Sequence, residues 1–148
     1  MVAVRPARAA DIDTLVLLLR ALFTIEVDFA VDEEKQRRGL QMLLGSDRAS
    51  LLVAETESKV VGMCTGQLVI STAEGGLSLL VEDVVVDASF RGRGVGRMLM
   101  EALKNWAITN NVWRLQLLAD RNNTPALDFY RRLGWTQTEL ICLRTRAR

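Results

Sequence analysis

Near the middle of the chain, Arg91-Gly92-Arg93-Gly94-Val95-Gly96-Arg97 interleaves glycines with cations directly after the apolar run Val84-Val85-Val86. Where a strand turns through glycines into a helix, the free N–H groups of the first helical turn and the positive end of the helix dipole converge on one point. Such a point holds an anion. Glycine suits it because a side chain would block a phosphate's approach and because such loops often use positive φ. Arg91, Arg93 and Arg97 add positive charge; a flexible turn carrying solvated arginines is the alternative reading of the same residues. Two familiar phosphate loops are excluded by spacing. Arg97 stands where a G-x-G-x-x-G fingerprint needs its third glycine, and no Lys-Ser/Thr pair follows as in a Walker A loop. Just upstream, Glu82 and Asp83 interrupt the otherwise apolar stretch from Leu77 to Val86. Two acids inside a strand are either part of a reactive site or a structural pair, one bonding backbone at a bulge and the other exposed.

What the chain lacks narrows the chemistry further. It has no histidine, which removes Ser-His-Asp and Cys-His mechanisms. Its two cysteines, Cys64 and Cys142, lie far apart in apolar runs, so no metal site is expected and both read as small buried hydrophobes in a reducing compartment. Lys plus Arg is 19 and Asp plus Glu is 18, a formal charge of +1, which disfavours nucleic acid and anionic membranes as partners. The Leu/Val run from Leu15 to Leu19 stops at Arg20, far short of a membrane span, and the amino terminus lacks a secretory h-region. A cytoplasmic location is expected. With 148 residues the chain is expected to form a single domain over residues 1–148, large enough for a real core.

The elements that must position these residues follow from periodicity. Val2 to Arg5 is a short β-prone run ended by Pro6. Ile12, Leu15, Val16, Leu19, Leu22 and Phe23 form one face of an amphipathic helix, and Asp32 caps a more polar second helix that ends at Gly45. Leu51 to Ala54 and Val60 to Ile70 make a hairpin around Glu57-Ser58-Lys59, and Leu77 to Val86 follows as the fourth strand. The glycine loop feeds a helix carrying Met98, Leu99, Ala102, Leu103 and Trp106; Arg114 to Ala119 is a strand, and Thr124-Pro125 opens a helix stopped by Gly134. Trp135 to about Arg144 reads as a last strand. The fold class is α/β with a mixed sheet.

The loop together with a second stretch resembles the GNAT superfamily of acyl-coenzyme A dependent N-acyltransferases. The family's pyrophosphate loop, Gln/Arg-x-x-Gly-x-Gly/Ala, is matched by Arg91, Gly94 and Gly96. Its Asn-x-x-Ala-x-x-Phe-Tyr-x-x-x-Gly-Phe segment is matched from Asn123 to Gly134, with Trp135 in place of the final Phe. The resemblance covers essentially the whole chain. It implies a GNAT-like α/β (α+β) domain whose central mixed, mostly antiparallel, twisted sheet has about six to seven strands flanked by four helices. It further implies that acetyl-coenzyme A is bound by Val84, Val85, Val86, the loop from Arg91 through Gly92, Arg93, Gly94, Val95 and Gly96 to Arg97, and Asn123, with the pantetheine arm between splayed fourth and fifth strands. No metal is implied, and a homodimer is left open.

Acyl transfer from a thioester to an amine needs a neutral amine, a donor for the oxyanion and a proton for the departing thiolate. The resemblance gives Tyr130 the last role, although a phenol near ~10 is a weaker acid than a thiol near ~8.5, a gap of about 2 kcal/mol that the site must offset. It also gives Glu82 the role of base. In a regular strand Glu82 shares a face with Val84 and Val86, while Asp83 points the other way; a bulge would swap them. An alkyl amine lies roughly 8 kcal/mol above an ordinary carboxylate in proton affinity, which favours a water relay. The acceptor is expected to be a small, cationic amine recognised by Phe23, Glu26 and Asp28, because the acids at Glu26 and Asp28 precede the second helix and its dipole does not account for them; a solvated acidic surface at the helix start is the alternative reading of the same acids. Acetylation of a protein or peptide amine, or non-catalytic acyl-coenzyme A binding, is the competing reading.

Overall fold

The computed structural model describes residues 1–25 and 31–148, which form two compact units, residues 1–117 and 118–148. The first unit runs β1 (Ala3–Pro6), α1 (Ile12–Ile25), α2 (Glu33–Leu44), β2 (Ala49–Thr56), β3 (Lys59–Ser71), β4 (Gly76–Val86), α3 (Val95–Thr109) and β5 (Val112–Leu117). The second contains α4 (Thr124–Arg132). Single 3-10 turns at Ala9–Asp11 and Ala88–Phe90 introduce α1 and the glycine loop.

The sheet has the order β1-β2-β3-β4-β5. Pairing is antiparallel from β1 through β4 and parallel between β4 and β5. β2, β3 and β4 follow one another through tight turns, as at Glu57-Ser58, where both residues adopt positive φ, whereas β1 and β2 are joined through α1 and α2. Parallel neighbours need a crossover, and α3 supplies it.

Each face of the sheet carries its own apolar layer. Leu51, Val53, Met63 and Val85 pack with Leu15, Val16 and Leu19 of α1 and Leu40 of α2. On the opposite face a Cβ added at Gly62 would stand 3.1 Å from Leu99 Cδ1 and 3.3 Å from Val95 Cγ1, so α3 lies directly on β3. Cys64, fully buried, faces the same helix through a 3.8 Å contact of its thiol with the Leu99 carbonyl.

Three expectations are corrected. The sheet has five strands among the described residues, not six to seven, because Trp135 to Arg144 forms no strand. Leu140, Ile141 and Leu143 are 81%, 70% and 87% exposed. A β-prone run becomes a strand only where a neighbour supplies hydrogen bonds and a surface to pack on, and this one has no ladder partner. Cys142, in the same segment, is exposed rather than buried. β5 also begins and ends earlier than its apolar pattern suggests, since Asn111, at φ 59°, turns the chain directly into Val112.

The entry into α1 is held by charge. Arg5 donates to Asp11 at 2.8 and 3.0 Å and to Glu55 at 2.6 Å, joining β1, β2 and the first turn, while the Arg8 N–H donates to Asp11 at 2.8 Å. These donors, Arg5 first, hold the nearly buried Asp11 carboxyl below its ordinary value of 3.8. A depressed folded pKa adds stability above the unfolded value and loses it as pH falls through the folded one. Asp11→Asn is therefore expected to destabilise the protein by about 1–3 kcal/mol at neutral pH. Urea titrations should show the gap between variant and wild type closing as pH drops below about 4.

Candidate active site

β4 does not run regularly into the loop. Its register with β3 is Thr65 opposite Glu82 but Met63 opposite Val85, so Asp83 and Val84 together face Cys64. This is a β-bulge, and Asp83 takes the left-handed conformation, φ 52°, that lets the extra residue fit. The Thr65 hydroxyl donates to the Glu82 carbonyl at 2.9 Å and closes the ladder on one side of the bulge.

The bulge overturns the regular-strand alternation. Directly paired residues share a face, so Glu82 lies on the face of Thr65, Met63 and Val85, and Val86, opposite Gly62, lies on the other. The Glu82 side chain is exposed; Asp83, Val84 and Val86 are half-buried. Val85 is buried in the layer against α1, so only its backbone is open to a ligand.

Pairing with β5 ends at Val81 opposite Leu117, whereas β4 continues to Val86. The backbone edge of β4 from Glu82 to Val86 thus has no strand partner on that side among the described residues. Beyond it Asp87 donates its N–H to the Val61 carbonyl at 2.8 Å and its carboxylate caps Ser89 at 2.9 Å, which turns the chain toward α3. Arg91 folds back, its Nε donating to the Val86 carbonyl at 3.2 Å.

Gly92 and Gly94 have φ of 75° and 81°, and a Cβ at either would meet nothing within 4 Å. Backbone conformation, then, and not internal crowding, requires glycine here. The first helical bond of α3 runs from the Met98 N–H to the Gly94 carbonyl at 3.1 Å, and no side chain caps the helix. The N–H groups of Val95, Gly96 and Arg97 therefore end the helix without an intrahelical partner. α2 and α4, by contrast, are capped by Asp32 and Asn123. Val95 is buried beneath Gly62 and contributes only backbone. Arg97 is 3.9 Å from Glu101, while Arg91 and Arg93 have no carboxylate partner among the described residues. The guanidinium of Arg93 lies 5.2 Å from the Phe90 ring centroid. Phe90 escaped the sequence reading, although an aromatic beside a basic glycine loop was a signal for it.

In the second unit, Asn123 Oδ1 accepts the Ala126 N–H at 3.3 Å, so one end of its amide is committed to capping α4. Tyr130 is half-buried, its ring 5.1 Å from that of Phe129 and 5.7 Å from that of Trp135, and Gly134 at φ 93° ends the helix. On α1, Phe23 is partly buried against the core, which leaves only part of its ring for an acceptor. Glu26 and Asp28 lie outside the described residues. Cys64 is no nucleophile: burial pushes its thiol pKa up to about 12.

The model of the Acetyltransferase (GNAT) family matches residues 16–135, and the chain belongs to that family. Streptothricin acetyltransferase from Escherichia coli is 36% identical over 56 residues, 38% of this chain and 32% of that protein. The chain spans less than half the length of the curated relatives it matches. Among solved structures, a possible acetyltransferase from Clostridium difficile 630 has a TM-score of 0.87 at 22% identity, covering 99% of this chain and 98% of that one. A predicted acetyltransferase from Clostridium acetobutylicum, crystallised with acetyl-CoA, has a TM-score of 0.78 at 21% identity, covering 97% and 96%. At such identities the shared property is the fold. No helix among the described residues is long and apolar enough to cross a membrane.

Because Gly94 occupies the left-handed region, Gly94→Ala is expected to destabilise the ligand-free protein by about 1–2 kcal/mol. Gly76, with positive φ neither required nor adopted and open space around it, should accept alanine within about 0.5 kcal/mol. Denaturant midpoints of the two variants check the contrast.

Proposed function

We propose that the chain is a single N-acetyltransferase domain that transfers the acetyl group of acetyl-coenzyme A to a primary amine of a small, cationic molecule within a ternary complex. One observation carries the reading: in a single continuous segment, a strand edge from Glu82 to Val86 that is unpaired among the described residues leads into a glycine-bent loop, an uncapped helix start and two arginines with no carboxylate partner among those residues. Uncapped N–H groups and the helix dipole suit a pyrophosphate, and a free strand edge suits the amide groups of a pantetheine arm. Membership of the acetyltransferase family, and the name of the streptothricin acetyltransferase among its relatives, support transfer to a small amine.

Acetyl-coenzyme A supplies the activated acetyl thioester. Within that reading, Gly92 to Arg97 hold its pyrophosphate through backbone N–H groups, and Arg91 and Arg93 supply countercharge. Glu82 or Asp83, through a water, takes the proton that the amine nitrogen loses as it bonds to the acetyl carbon. The ammonium form of the acceptor first loses a proton to solvent; the Tyr130 hydroxyl then gives a proton to the departing sulfur as the C–S bond breaks, and the proton taken from the nitrogen returns through water to the phenolate, leaving an amide and a free thiol. Exposure keeps Glu82 accessible to such a water.

Acetyl-coenzyme A, and not ATP or NAD, is expected to raise the melting temperature; saturation at about a hundred times Kd adds about 2.7 kcal/mol. A thiol-release assay over an amine panel should then find turnover, with cationic amines leading and KM rising with salt. Tyr130→Phe should keep the fold and lower kcat by about 10–1000-fold. Stabilisation by ATP or NAD alone would sink the coenzyme assignment, and wild-type turnover in Tyr130→Phe would leave protonation of the thiolate to solvent.

A further inference from the structure

Outside the glycine loop, Lys59 at the start of β3 brings another cation to the same place. Its Nζ lies 5.7 Å from the Phe90 ring centroid, while Arg93 approaches that ring at 5.2 Å. Lys59 reaches Asp87 only at 4.0 Å, and its side chain is 61% exposed. Two segments far apart in sequence thus deliver two cations to one aromatic residue, immediately before an uncapped helix start. A ring quadrupole attracts a cation without neutralising it, so both charges stay available to an anion. Among the described residues only Asp87 is paired against them, and its carboxylate is already engaged by the Ser89 N–H at 2.9 Å.

The backbone N–H groups of Val95 to Arg97 lie at the start of α3, whereas Lys59 and Arg93 bring charged side chains to Phe90, five residues before that start. Coenzyme A carries, besides its pyrophosphate, a phosphate monoester on the ribose 3′ oxygen. Resting on the coenzyme A reading, we infer that Lys59 and Arg93 bind this 3′-phosphate, and that Phe90 is the positioning residue that holds both cations for it. The ligand group is a dianionic monoester, for which ammonium and guanidinium donors are suited. Lys59 is therefore a coenzyme-recognition residue contributed by the β2–β3 hairpin, outside the loop motif.

The test compares the affinities of coenzyme A and 3′-dephospho-coenzyme A by calorimetry, at low and high salt. Wild type should prefer coenzyme A, and the preference should shrink as salt rises. Lys59→Ala should narrow the preference by roughly 3- to 10-fold, as loss of one exposed charge-assisted contact implies, while leaving affinity for the dephospho form nearly unchanged; Arg93→Ala should narrow it as well but also weaken the dephospho form, because Arg93 supplies countercharge to the pyrophosphate that both coenzymes carry. Phe90→Leu, which keeps an apolar side chain and removes the ring, should narrow it in the same direction with Lys59 and Arg93 intact. Lys59→Arg should retain it. If wild type binds both coenzymes equally, or if Lys59→Ala weakens both by the same factor, the 3′-phosphate assignment is overturned while the coenzyme reading stands. If neither coenzyme binds, both fall together.

Discussion

β4 has one residue more than β3 can pair with, and the local architecture of the site depends on how that residue is accommodated. Asp83 absorbs it by entering a left-handed conformation that costs a non-glycine residue about 1–2 kcal/mol. The ladder to β3 recovers on both sides, from Thr65 opposite Glu82 to Met63 opposite Val85. A bulge strengthens the local twist and bends its strand. That bend falls where the pairing with β5 stops, at Val81 opposite Leu117. The same extra residue sends Val85 into the layer beneath α1 while Glu82 stays exposed on that face.

The second constraint is the parallel pairing itself. Because β4 and β5 run the same way, the chain must return along the sheet, and the helix that does so begins beside the carboxyl end of β4. Crossover geometry therefore places α3's amino terminus where the strand edge opens. Burial of Leu99, Leu103 and Val95 against β3 and β4 fixes the helix, so its start is rigid even though the glycines before it are not crowded. Had a serine or aspartate capped α3, as Asp32 and Asn123 cap α2 and α4, its oxygen would occupy the position an anion needs. Gly94 leaves that position to a ligand.

Much of this was legible because local chemistry and tertiary structure agree. The 3.6-residue period of Leu15, Val16 and Leu19, the Asp32 and Asn123 caps, the hairpin around Glu57-Ser58 and the glycine spacing at 92, 94 and 96 all follow from residue types within a few positions of one another. The face of Glu82 was not legible, since a bulge depends on register with β3 and Asp83 is not a residue that announces positive φ. The segment after Gly134 misled for a related reason: Leu140 to Leu143 has β propensity, but propensity does not provide a neighbour. Lys59 was invisible as a site residue because what matters about it is its nearness to Phe90 across the β2–β3 hairpin.

A formal charge of +1 conceals a local segregation. Beyond the carboxyl end of β4 stand Arg91 and Arg93 with Lys59, against Asp87 alone; within β4 stand Glu82 and Asp83, with no lysine or arginine between them and Leu77. Averaged over the surface these nearly cancel, so a distant anion or cation feels little. At a separation shorter than the roughly 8 Å screening length of physiological salt they do not cancel. On the proposed reading this is what the reaction demands, since one substrate is a polyanion and the other an amine that arrives as a cation. A uniformly basic surface would hold the coenzyme and repel the acceptor; a uniformly acidic one would do the reverse. Placing the two signs on successive stretches of one segment, strand then loop, keeps both substrates attracted to adjoining positions and lets the bulge at Asp83 mark the boundary between them.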